Sequence, residues 1–229
     1  VPPHVEFQPS LFDAPPPALD LGYSTLRRVQ LDPASWVDEA PGWVRGSDAL
    51  FVEILRQRAW KQRVRWMYER KLPEPRLTDH WDGESGEPLA PPLLEDMRRS
   101  LSQRYRVAFD SAGFNLYRDG RDSVAWHGDK IEKEIEEPIV ALVSLGEPRK
   151  LLLRPRGGGR SLRFVAGRGD LLVMGGKTQR AWEHAVPKVA RAGPRITVAF
   201  RYSLDPRAYA GKSVIESSAV DAERALRGR

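Results

Sequence analysis

The chain has no cysteine and only three methionines. Without cysteine there are no disulfide staples, no thiolate-bound zinc and no iron–sulfur cluster, and the composition fits a reducing interior. It also lacks any run of about 18 uncharged apolar residues, so no segment reads as a membrane span. The start, Val1-Pro2-Pro3-His4, has no basic segment followed by an apolar stretch, the pattern of a secretory leader. These absences make a cytoplasmic protein that avoids membranes the expectation. No internal repeat is visible, and a monomer is the expectation.

What is present is an ordinary apolar fraction of 41% with 30% charge, enough for one structural domain with a true core. Nineteen prolines and nineteen glycines favour many turns over long helices. The formal charge is +6, and its placement says more than its size. Between Leu55 and Lys71 lie Arg56, Arg58, Lys61, Arg63, Arg65, Arg70 and Lys71 against the single acid Glu69, interleaved with Trp60, Trp66 and Tyr68. Cations among aromatic rings suit nucleic acid, phosphates going to the charges and unpaired bases to the rings.

Along the chain, residues 1–45 read as an extended, proline-rich N-terminal arm. Residues 46–110 read as a helical and lid region: a helix from about Asp48 to Gln57 capped by Ser47, a short basic strand over Arg63–Tyr68, a proline-rich loop over Leu72–Pro92, and a helix over Leu93–Tyr105 with Leu93, Met97, Leu101 and Tyr105 on one stripe. Then short apolar runs follow one another from Gly113 to Tyr202, separated by turns such as Asp119-Gly120 and Gly157-Gly158-Gly159. That spacing predicts an antiparallel sandwich or jelly roll over 111–204, mainly β with bracing helices. Residues 205–229 form a tail with a candidate surface helix.

Within the β region, His127-Gly128-Asp129 places two donors two residues apart, on one side of a strand, and His184 supplies a third. Two imidazoles and a carboxylate make the ligand set that holds non-haem Fe(II) on one face and leaves other positions open for O2. Arg195-Ile196-Thr197-Val198-Ala199-Phe200-Arg201 alternates, so Arg195, Thr197 and Arg201 share one face. Two arginines inside a small barrel are costly unless they hold anions. At about 3.3 Å per residue their α-carbons lie roughly 20 Å apart, longer than a small diacid; twist and long side chains shorten the gap, but a simple two-ended clamp does not follow from spacing alone. Asn115 and Tyr117, also two apart, can add an amide and a phenol to that face.

Together these residues resemble the AlkB family of Fe(II)- and 2-oxoglutarate-dependent dioxygenases. The likeness is densest from Asn115 to Asp129 and continues through Val143-Ser144-Leu145-Gly146, Asp170–Gly175, Trp182-Glu183-His184 and Arg195–Arg201. The resemblance implies a double-stranded β-helix with an N-terminal nucleotide-recognition lid. It implies His127, Asp129 and His184 as catalytic iron ligands, Arg195 on the far carboxylate of 2-oxoglutarate, Arg201 near its metal end, and Asn115, Tyr117 and Thr197 lining the same pocket. It implies oxidative removal of alkyl groups from damaged bases in DNA, with RNA as the alternative polymer. A protein side chain or small metabolite is the alternative substrate class. Trp81 is the first candidate to stack on the base, ahead of Tyr68 and His80; Trp126 is a further substrate contact, and Arg63, Arg65 and Arg76 are candidate phosphate contacts. Thr197 and Ile131 depart from the family pattern, which carries asparagine and an acid there in several relatives.

Overall fold

The computed structural model describes residues 5, 7, 15–67, 69–129, 131 and 133–203. Tyr68 and the tail helix expected after Asp205 lie outside the described residues.

The first four strands are β1 (Ala18–Leu19), β2 (Arg27–Asp32), β3 (Ser35–Ala40) and β4 (Val44–Arg45). The expected arm is therefore corrected over its second half: β2 and β3 form a hairpin that extends the larger sheet. Helix α1 (Ser47–Gln57) turns Leu50, Phe51 and Ile54 inward. Its cap is not the Ser47 side chain. Gly46 takes the N-cap at φ 60°, because a Cβ there would collide with the Pro15 carbonyl.

A basic hairpin follows, β5 (Val64–Met67) and β6 (Arg70–Pro73), then β7 (Leu77–Asp82) and α2 (Leu93–Tyr105). The expected loop over Leu72–Pro92 is thus wrong in its first half. β7 is an edge strand of the larger sheet, where flanking prolines are tolerated because the outer N–H groups need no partner. The remaining strands are β8 (Ser111–Tyr117), β9 (Val124–His127), β10 (Val140–Gly146), β11 (Arg149–Pro155), β12 (Leu162–Ala166), β13 (Asp170–Gly176), β14 (Trp182–Val186) and β15 (Arg195–Arg201), with the one-turn helix α3 (Thr178–Ala181) before β14.

They form a seven-stranded sheet, β2-β3-β13-β10-β15-β8-β7, and a four-stranded one, β12-β11-β14-β9, with every pairing antiparallel. This is the expected jelly roll. Alternation along each strand divides the core. Ala141, Val143, Leu145, Ile196, Val198 and Phe200 pack with the helices on one face of the large sheet. Val140, Leu142, Ala199 and Met174 face Leu151, Leu153 and Phe164 of the small sheet on the other. Among the described residues no helix is long and apolar enough to cross a membrane.

Candidate metal and co-substrate site

The site lies on the inner face between the two sheets. β14 pairs with β9 so that His184 stands opposite His127, and their rings lie 4.3 Å apart between centroids. Gly128 then carries the chain to Asp129. Ligand atoms of His127, Asp129 and His184 all fall within 4.8 Å of one another, a spacing that one ion can bridge. These three expected ligands do converge.

Each donor is prepared by a neighbour. Nδ1 of His127 lies 2.9 Å from the Ala125 carbonyl; a carbonyl only accepts, so Nδ1 carries the proton and Nε2 is left bare for a metal. Oδ1 of Asp129 accepts from Arg201 at 2.6 Å, while Oδ2, buried and without a hydrogen-bond partner, faces Nε2 of His184 at 3.9 Å. Burial works to raise the Asp129 pKa, but Arg201 and then His184 outweigh it and hold the carboxyl below its ordinary value. Burial pushes His184 down to about 4, against the opposite pull of Asp129. Both groups therefore present the forms a cation binds at neutral pH.

That depression has a stability consequence. The unfolded imidazole takes a proton near 6.5 and the folded one only near 4, so its contribution is complete above 6.5 and lost as the pH falls towards 4. Melting of the metal-free protein should drop over that window, and His184→Asn should shrink the drop.

The co-substrate pocket continues along the inner face. Register places Tyr117 beside Arg195 and Asn115 beside Thr197, and Ser144 is opposite Thr197 on the other side. Arg195 is 2% exposed; one of its amino groups donates to Ser144 Oγ at 2.8 Å, and its Nε has no partner. Burial pushes its pKa down to about 10, still well above neutrality, so a buried positive charge awaits an anion. Thr197 Oγ1 is likewise buried and unpartnered. Between the Thr197–Asn115 pair and Arg201 the inner face carries only Ala199 and Gly113, and a Cβ on Gly113 would stand 3.1 Å from Arg201 Nη1. A bay with cations near both ends, small residues between and orphaned polar atoms fits a diacid beside an ion. Arg201's reach to Asp129 resolves the expected span problem, since the second cation sits at the metal rather than opposite the first.

The substrate candidates divide. Trp81 is corrected: it is 8% exposed in the helix-side core and its indole N–H donates to the Glu87 carbonyl at 2.9 Å, because β7 turns Leu77 and Trp81 to that side. It offers no face to a base. His80, on the opposite side of β7, is half exposed and 3.9 Å from Asp82. Arg76 is turned inward, 14% exposed and 3.3 Å from Glu74, and its charge reaches His184, so it stands towards the metal site rather than on the outer surface. Trp126 faces away from His127 and holds the Arg154 guanidinium 4.0 Å from its ring centre. Arg63 is exposed, at the base of the basic hairpin, whereas the Arg65 side chain lies outside the described residues.

Two residues escaped the sequence reading. Ser144 stood in the matched Val143–Gly146 segment but was given no role there, and its contact with Arg195 is seen in the structure. Gln179, 2% exposed, accepts the Asp129 backbone N–H at 3.3 Å and steadies the ligand loop; nothing in its sequence context signals this.

A jelly roll with two imidazoles, a carboxylate and paired inward arginines defines the 2-oxoglutarate- and iron-dependent oxygenase class. The 2OG-Fe(II) oxygenase superfamily matches residues 41–208. Over 190 residues the chain is 32% identical to "Alpha-ketoglutarate-dependent dioxygenase alkB homolog 3" of Bos taurus, covering 73% of this chain and 66% of that protein. It is 33% identical over 138 residues to "DNA oxidative demethylase ALKBH2" of Arabidopsis thaliana, covering 50% and 44% respectively. The solved "structure of OsALKBH1" superposes with a TM-score of 0.54 at 15% identity, covering 76% of this chain and all of that one, which supports the fold. The chain belongs to the AlkB family of 2OG-Fe(II) oxygenases.

Proposed function

We propose that this protein is an Fe(II)- and 2-oxoglutarate-dependent dioxygenase that removes alkyl groups from damaged nucleic-acid bases, in DNA before RNA. The observation that carries the chemistry is the three-donor cluster within 4.8 Å, with Arg201 on Asp129 and a buried Arg195 at the other end of the same strand face. The basic hairpin and the demethylase name of one relative support the substrate.

In this reading His127, Asp129 and His184 hold the iron, Arg195 takes the far carboxylate of 2-oxoglutarate with Asn115, Tyr117 and Thr197 around it, and Arg201 steadies Asp129 at the near end. Bound iron would couple decarboxylation of 2-oxoglutarate by O2 to hydroxylation of the alkyl carbon, which leaves as formaldehyde when the group is methyl. The residues orient the co-substrate and keep Asp129 ionised. A base inside a duplex cannot reach a pocket between two sheets, so it must be flipped or already unpaired. A monomer acting in the cytoplasm belongs to the same reading, and ferrous iron suits such a reducing compartment.

The test is succinate formation with Fe(II) and 2-oxoglutarate, with and without methylated oligonucleotide, followed by product analysis for formaldehyde. Stimulation by the methylated strand supports the reading. Turnover indifferent to every oligonucleotide would move the substrate to another class. Arg63→Ala with Arg65→Ala should weaken oligonucleotide affinity and flatten its salt dependence by about 0.7 per lost contact on single strands. If both stay put, the hairpin is not the phosphate contact.

A further inference from the structure

We propose that the turn joining β11 to β12, Arg154-Pro155-Arg156-Gly157-Gly158-Gly159-Arg160, is a second contact for the phosphodiester backbone, beyond the basic hairpin. The inference rests on the nucleic-acid reading above and adds where the strand runs. Arg156 and Arg160 are exposed, as are Lys150 and Arg163 on the two strands feeding the turn. Glu183 is the acid beside them, and Arg154 takes it at 2.6 Å. The surface left over is cationic.

The glycines give the turn its accessibility. Gly157, Gly158 and Gly159 have φ of +86°, +104° and +117°, conformations that side chains rarely adopt. A Cβ on Gly157 or Gly158 would meet nothing within 4 Å. The Arg156 and Gly158 N–H groups are taken by the Ala181 and Pro155 carbonyls at 2.8 and 3.1 Å, but open backbone between arginines still lets a phosphate come close to the turn and a guanidinium together.

Placement ties the turn to the metal site. Arg156 Nη2 donates to the Gln179 carbonyl at 3.1 Å, and its guanidinium fills the space that a Cβ on Gly128 would need. The turn therefore abuts the ligand tripeptide at the end of β9. At the start of β9, Ser123 N–H donates to the Pro75 carbonyl at 2.8 Å, two residues past the basic hairpin. β9 thus links hairpin and turn. Ser123 to Gly128 spans roughly 16 Å at about 3.3 Å per residue, the axial rise of about five nucleotides of a duplex strand. A strand lying along β9, with its reactive base over the metal, reaches the hairpin with one flank and the turn with the other.

Arg160→Glu with Arg163→Glu tests this, with Arg160→Gln and Arg163→Gln as the milder pair should charge reversal disturb folding. Affinity for an unmodified single strand of about 15 nucleotides is measured across salt concentrations, and KM is compared for a methylated trinucleotide and a methylated strand of the longer length. Affinity is expected to fall at least about tenfold, the salt slope to drop by about 1.4 for two lost contacts, and the KM advantage of the long strand to collapse. Unchanged affinity, slope and KM ratio would overturn the proposal. If the wild type binds the strand through the turn but demethylates nothing, the proposed activity fails while the contact stands. If it demethylates and the variant binds as before, the contact alone fails.

Discussion

His184→Ala is expected to abolish succinate formation in the presence of Fe(II), 2-oxoglutarate and methylated oligonucleotide, while oligonucleotide affinity should stay within about threefold of wild type. The loss is expected to reach at least about two orders of magnitude, since even residues that merely support a metal ligand cost ten- to a hundredfold when changed. The imidazole is 8% exposed and stands opposite His127 across paired strands, so no neighbour can replace its nitrogen. The basic hairpin belongs to a separate two-stranded sheet and does not depend on it. A matching thermal melt of the metal-free variant distinguishes lost ligation from lost fold. Demethylation that survives in a folded variant would remove His184 from the ligand set.

Arg195→Met separates affinity from stability in opposite directions. Removing one partner of a buried, hydrogen-bonded charge pair costs about 2–5 kcal/mol, so KM for 2-oxoglutarate should rise from about thirtyfold to several thousandfold. Yet without co-substrate Arg195 is a buried charge whose hydrogen bond to a protein group is the one to Ser144. Replacing it with an apolar chain of similar length should leave the apo protein as stable as before, or more so. KM and the apo melting temperature are read together. An unchanged KM would show that another group holds the far carboxylate.

The sequence revealed most where one physical demand dominated. β15 was legible because one face packs into the apolar core and the other lines a polar site, so Ile196, Val198 and Phe200 alternate with Arg195, Thr197 and Arg201. α2 was legible from its stripe, with Leu94 joining Met97 and Leu101 in the core. The three-donor cluster was legible because the His-x-Asp triplet, weak by itself, is followed in order by a third imidazole and an arginine in a β-rich setting. Edge strands hid: β2 carries Arg27, Arg28, Gln30 and Asp32, with no buried residue to mark it. β7 hid behind Pro73 and Pro75. Trp81 misled because an indole suits a base stack and a core equally well, and only strand parity decides between them. Gln179 had no legible signal, since a neutral amide gains its role from a loop distant in sequence.

One strand, β15, serves as wall for two compartments. Its three apolar side chains fill the helix-side core and its cations line the reaction bay. A repacking of that core displaces guanidinium groups directly, with no intervening layer to absorb the shift. Damage to the scaffold behind the sheet is therefore felt first as a poorer grip on the diacid, before the molecule unfolds.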